Sequence, residues 1–330
     1  MDIERCYGRV EDIEMIKLYL LNPVAKLWVE RYPFFTITQN AHEAHYILFE
    51  TNGDPIHSIQ DLKRKIPAEH HHKLIYILSG DQNAHIDGNC VWYTCAIKPS
   101  GLERYQRQIF VTNPAIFRFS NPLRIPNLEK ARSIDIYFKG SIWKGMRTEM
   151  KEALEIYPNV MIEDFSSYWD WRFEKTRTQE EIEEKAYELY RTLTNVKLSL
   201  CPKGNGNSSM RIIESIACGA IPVLIDDFSA PFGFDYSKFC LIFDSKRDSY
   251  ETIYEKCMEL IEDKEKYELY QRRGYAFYRK VVLADFRYLP FYDYHDVNTV
   301  AYGFSSFIAF DLLNKYFREK NTFYNFMILK

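Results

Sequence analysis

What the sequence lacks narrows its function first. No apolar run approaches the ~18–20 residues of a membrane-spanning helix, and the first residues, MDIERCYGRVEDIEMIKLYLL, carry acids where a signal peptide needs bases. No Cys-x-x-Cys pair occurs, and the seven cysteines are an odd number. A disulfide framework or a cysteine zinc site is therefore not expected, and reduced thiols are. Charge of one sign is also missing. The formal net charge is −3, and the longest basic run is Lys63-Arg64-Lys65. Nothing marks a nucleic-acid groove. No Asp-x-Asp triplet, Walker loop or complete Gly-x-Gly-x-x-Gly fingerprint is present.

What is present is the composition of an ordinary globular protein, 46% hydrophobic and 27% charged, with 25 Tyr and 23 Phe. At 330 residues the chain exceeds what one core comfortably fills, so two domains are expected. Short apolar strands alternate with helix-like stretches, which predicts an α/β fold with parallel sheets. In the first half, strands are read at 44–49, 73–78 and 90–97, with a helix at 59–66. Prolines at 114, 122 and 126 interrupt regular structure. A linker there separates an N-terminal domain, 1–127, from a second domain, 128–300. A helical segment, 301–330, is expected to pack back on the first domain. In the second half, strands are read at 134–138, 159–162, 196–200, 220–225 and 239–243. Helices are read at 146–157, 180–193, 209–218, 250–278 and 305–317.

The informative segment is LSLCPKGNGNSSMRIIESIACGAIPVLIDD, residues 198–227. It reads as strand, Gly-rich loop, helix, strand. Such a loop opens on unpaired helix N–H groups that favour phosphate. Lys203 adds a cation, Gly204 and Gly206 permit close backbone approach, and Ser208 or Ser209 suits the N-cap. Gly219 suits the left-handed C′ position. Along the helix, Ile212, Ile213, Ile216 and Ala217 form an apolar face, with Arg211, Glu214 and Ser215 opposite. Arg211 and Glu214 share one stripe. They fit either a phosphate fork with a ribose acceptor or an exposed ion pair.

Cys201-Pro202-Lys203-Gly204, then Ser209-x-Arg211-x-x-Glu214-Ser215, then Gly219-Ala220-Ile221-Pro222-Val223 resemble the donor-binding signature of the exostosin-like glycosyltransferases. Ala230-Pro231-Phe232 follows at a matching distance. Ile136 to Gly140 with the downstream Arg147 resembles the strand, Gly and Arg that open that family's donor domain. The resemblance implies a GT-B architecture, two Rossmann-like domains facing a central cleft. It implies inverting transfer of a sugar from a nucleotide sugar, usually a UDP-sugar, to a hydroxyl of a glycan or glycoprotein. The donor-binding set it implies is Arg147, Lys203, Gly204, Ser208, Ser209, Arg211 and Glu214.

Without Asp-x-Asp, positive side chains and helix N–H groups must stabilise the leaving diphosphate, so no metal and no cofactor are expected. The general base is expected in the first domain, at the carboxyl end of a strand. Asp81 is the first choice, His85 the second, and Glu50, taken to lie just beyond its strand, the third. His70-His71-His72 reads as a solvated loop rather than a metal site. Tyr168-Trp169-Asp170-Trp171 reads equally as a sugar-stacking loop or an aromatic anchor. With no membrane anchor read in a chain this short, the expectation is a cytoplasmic enzyme of a microbe or a virus-infected cell. The competing readings are a GDP-sugar transferase of fucosyltransferase type and a non-catalytic nucleotide-sugar-binding subunit.

Overall fold

A computed structural model describes residues 15–21, 29–30, 32, 34–51, 64–78, 91–94, 106–108, 116, 119, 126–142, 145–167, 177–204, 209–226, 234–282 and 305–320. Two parallel sheets organise them. The first contains β1 (Ile16–Leu20), β2 (Phe35–Ile37), β3 (Tyr46–Thr51), β4 (Leu74–Leu78), β5 (Val91–Thr94) and β6 (Gln106–Gln108), in the order β2-β1-β3-β4-β5-β6. The second contains β7 (Ile134–Gly140), β8 (Val160–Asp164), β9 (Val196–Pro202), β10 (Ile221–Ile225) and β11 (Leu241–Phe243). Read from its β8 edge, its order is β8-β7-β9-β10-β11. Each sheet therefore begins one strand in from an edge and reverses direction between its first and third strands. In doubly wound folds that reversal opens a crevice beyond the carboxyl ends of the two strands. In the second sheet the crevice lies between the ends of β7 and β9.

Among the described residues, six α-helices accompany the sheets: α1 (Met146–Leu154), α2 (Gln179–Leu193), α3 (Met210–Ala217), α4 (Tyr250–Glu262), α5 (Lys264–Phe277) and α6 (Ser305–Glu319). All of β10 and nearly all of β9 are buried, as central strands covered on both faces must be. On one face, Ile136, Phe138, Leu198, Leu200, Ile221, Val223 and Ile225 pack with Met150 and Leu154 of α1 and Ile253, Cys257 and Leu260 of α4. On the other, Tyr137, Cys201 and Leu224 join Tyr190 of α2 and Ile212, Ile213 and Ile216 of α3. Each fully buried Leu or Ile of this kind stabilises by about 1.5–3 kcal/mol. Pro222 fits because β11 pairs with β10 only from Val223 onward.

In the first sheet, Ile47, Phe49, Leu74 and Tyr76 pack on Ile66. The opposite face carries Ile16, Leu18, Leu48, Ile75 and Ile77, in the cluster that also holds Ile308, Leu312 and Tyr316 of α6. Tyr46 Oη donates to Glu319 Oε2 at 2.8 Å, which ties α6 to β3. No helix among the described residues is long and apolar enough to cross a membrane.

Three expectations need correction. The 250–278 run is two helices. Asp263 ends α4, and its side chain accepts from Lys266 N at 3.0 Å to cap α5. Glu50 lies inside β3, opposite Ile77, rather than beyond the strand. Residues 70–72 form a 3₁₀ turn, Ala68–Lys73, that leads into β4 with His70 buried. Strands β1, β2 and β6 were not anticipated.

Candidate donor site at the ends of β7 and β9

The sequence builds the site from two strand–loop–helix corners. Strand β7 runs into the loop before α1, and Gly145, the N-cap residue of that helix, has φ +99°. That left-handed backbone suits a residue without Cβ. Arg147 then falls in the first turn of α1 and turns back over the strand end. Its Nη1 donates to Ser141 O at 2.9 Å, its Nε to Lys203 O at 3.2 Å and its Nη2 to Pro202 O at 3.4 Å. One guanidinium thus bridges the carboxyl ends of β7 and β9. A Cβ on Gly204 would stand 3.1 Å from Arg147 Nη2, so the bare backbone lets this contact form.

Strand β9 supplies the second corner. Ser209 is the N-cap of α3, and its Oγ accepts from Arg211 N at 3.3 Å. Arg211 reaches back to β7, donating from Nη2 to Lys139 O at 2.8 Å. Its Nη1 stands 3.3 Å from Glu214 Oε2 and is buried without a hydrogen-bond partner of its own. Glu214 Oε1 accepts from Tyr190 Oη at 3.4 Å. Lys203 extends the β9–β10 pairing through its N–H to Ile225 O at 3.2 Å, and its Nζ lies 3.5 Å from Asp226 Oδ2. Asp226 has φ +92°, a strained backbone for a residue with a side chain. Arg147, Lys203, Gly204, Ser209 and Arg211 therefore converge on one crevice, and α3 points its N-terminus there.

The helix face is not as its spacing suggested. Glu214 and Ser215 were expected on a polar side, yet both are buried. Helix α3 lies against β9 and β10 with α2 and α5 beside it, so little of its circumference meets water. Ser215 satisfies its hydroxyl locally by donating to Arg211 O at 2.6 Å. Glu214 is 5% exposed and engaged by Arg211 and Tyr190, so the Arg211–Glu214 pair is an interior ion pair. Tyr190 and Asp226 were missed. Asp226 could have been found as the first residue after an apolar strand, where chain ends meet ligands. Tyr190 carries no such local signal.

Burial pushes the thiol of Cys201, beneath the crevice, up to about 12. The four described cysteines, Cys201, Cys218, Cys240 and Cys257, are free and buried. Asp81, His85, Ser208 and the Tyr168–Trp171 run lie outside the described residues, as does the side chain of Glu50.

Residues 98–257 match the Exostosin GT47 domain, which covers both corners of the site. No curated protein matches the chain. Among solved structures, the chain is similar to WaaG, a glycosyltransferase involved in lipopolysaccharide biosynthesis. That alignment has 9% identity, covers 86% of this chain and 97% of that one, and has a TM-score of 0.42. It is also similar to a glycosyltransferase from Rickettsia africae ESF-5, with 10% identity, 81% and 93% coverage and a TM-score of 0.39. A further likeness is to Anabaena Alr3699/HepE, solved in complex with UDP, with 11% identity, 91% and 100% coverage and a TM-score of 0.36. Two parallel α/β sheets, with a segment matching the Exostosin GT47 domain built around this crevice, make the chain similar to the exostosin-like glycosyltransferases.

Proposed function

We propose that the chain transfers a sugar from a UDP-sugar to a hydroxyl of a glycan or glycoprotein, with inversion and without a divalent metal. One observation carries the donor half of this reading: the guanidiniums of Arg147 and Arg211, from two helices, meet at the crevice between β7 and β9. Charge grows on the diphosphate as the anomeric bond breaks, and preorganised donors at that point lower the barrier. Arg147, Arg211, Lys203 and the N–H groups of α3 supply the positive field. Inversion and the uridine base rest on the family resemblance. The cytoplasm is the proposed compartment.

Thermal melting tests the donor class. UDP at 100 times its dissociation constant stabilises the chain by ~2.7 kcal/mol, while GDP leaves the midpoint unmoved. Stabilisation by GDP alone rejects the uridine assignment and favours a GDP-sugar donor. Release of UDP from UDP-sugars in the presence of EDTA tests metal independence, and a strict requirement for added Mn²⁺ or Mg²⁺ would overturn it. Binding with no turnover of any UDP-sugar and acceptor pool would leave a nucleotide-sugar-binding subunit.

The acceptor hydroxyl must lose its proton to a group in the first half of the chain, and Asp81, His85 and Glu50 are the proposed set. Asp81→Asn, His85→Gln and Glu50→Gln separate them, because loss of the true base lowers kcat by about 10²–10⁴-fold while the other two variants keep turnover.

A further inference from the structure

The amino-terminal edge of the first sheet carries a side-chain cluster outside the proposed donor site and base candidates. His42 lies in the turn before β3, and His70 lies in the 3₁₀ turn before β4. Strands β3 and β4 are parallel neighbours, so both turns meet at one edge. His42 Nδ1 and His70 Nε2 face each other at 2.9 Å, with the rings nearly perpendicular and their centroids 4.4 Å apart. Glu69 Oε1 stands 3.8 Å from the same His70 nitrogen. The three ligand atoms lie within 4.8 Å of one another.

We infer that His42, His70 and Glu69 form a binding site for one zinc-like divalent cation, which clips the two turns together. Two imidazoles and a carboxylate are a ligand set that such ions take, with a water in the fourth position. Nitrogens each about 2.0–2.1 Å from a tetrahedral ion stand ~3.3 Å apart, so the 2.9 Å pair needs only a slight opening. One of the facing nitrogens now carries the shared proton. On binding, that proton moves to the other nitrogen of its ring. His42 then ligates through Nδ1 as the Nε2–H tautomer, and His70 through Nε2 as the Nδ1–H tautomer. Desolvation and the neighbouring Lys73 charge hold the His70 pKa below the ordinary imidazole value, which keeps the ring neutral. Lys73 is the opposing charge: its Nζ donates to His42 O at 3.1 Å. His71 is turned to Ile66 O at 3.0 Å, and it takes no part. In parallel sheets of this kind substrates bind beyond the carboxyl ends of the strands. The ion sits at the opposite edge and fastens the fold without entering the transfer.

The test uses the full chain, stripped by chelator and titrated with Zn²⁺ and, separately, with Co²⁺ for its visible absorption. The expected result is one ion per chain, a tetrahedral Co²⁺ spectrum and a raised melting temperature. His42→Gln, at an exposed position, abolishes binding. Glu69→Gln, also exposed, weakens it about 10-fold or more, and His72→Gln leaves it unchanged. His70→Gln is less informative because His70 is buried. No saturable binding to the folded chain would overturn the assignment. So would binding that survives His42→Gln, or binding lost in His72→Gln instead. Sugar transfer measured in chelator reads the donor-site proposal separately, so either can fail alone.

Discussion

Arg211→Ala lowers kcat for sugar transfer by roughly 10²–10³-fold, the usual cost of deleting one preorganised donor aimed at developing charge. Arg211 is the side chain that crosses from the mouth of α3 to the end of β7, where it meets Lys139 O. A diphosphate in the crevice replaces carbonyl contacts of this kind with charged ones, and those strengthen as the leaving group departs. The variant also strands Glu214, which is 5% exposed and keeps only Tyr190. Breaking an interior pair in this way costs about 3–5 kcal/mol, so lost activity alone could mean lost fold. The double variant Arg211→Met, Glu214→Gln separates the two. It removes both charges, recovers much of the stability in urea unfolding, and stays slow. Arg211→Lys keeps the charge but loses the fork, and it falls between. Wild-type turnover in a folded Arg211→Ala chain would remove this arginine from the mechanism.

Gly219→Ala destabilises the fold by about 2–5 kcal/mol while sparing the chemistry of what remains folded. Gly219 follows Cys218, the C-cap of α3, with φ +75°. A Cβ there would stand 2.6 Å from Arg132 Nη2 and 2.7 Å from Leu128 Cδ2. Arg132 cannot yield cheaply. Its buried guanidinium donates to Leu193 O at 3.1 Å, Val196 O at 2.8 Å and Cys218 O at 3.0 Å. It thereby fastens the end of α2, the start of β9 and the end of α3. The methyl group must fight the left-handed backbone and displace that anchor at once. Urea unfolding reads the loss through a lowered midpoint. A change under about 1 kcal/mol would mean that the anchor gives way easily.

The second sheet was legible in the sequence because its central strands are buried on both faces. Such strands read as unbroken apolar runs, as in Ile221 to Ile225, and glycine and capping residues punctuate them. The two donor-site corners were legible for the same reason, since Ser209 and Gly219 bracket α3 by local rules. Strand β6, Gln106–Gln108, has no apolar pattern to find, and β2 is three residues long. What spacing could not supply was the neighbour. Glu214 looks exposed on a helical wheel until Tyr190 of α2 is placed over it. His70 looks solvated until His42 arrives from 28 positions away. Asp81 and His85 lie outside the described residues, and Glu50 stands within β3 opposite Ile77.

The two-sided burial of β10 bears on where the polypeptide can be cut. The match to the exostosin domain stops at residue 257, inside α4. Yet Leu260 of that helix lies over Ile221, Val223 and Ile225, while Tyr275 and Tyr278 belong to the cluster on the reverse side. A fragment trimmed to the homology boundary would keep β9 and β11 beside β10 but uncover apolar side chains on its faces, an exposed patch of the kind that drives aggregation. A donor-side unit that keeps this sheet covered must therefore extend past the recognisable domain, through the π-helical turn Tyr278–Val282.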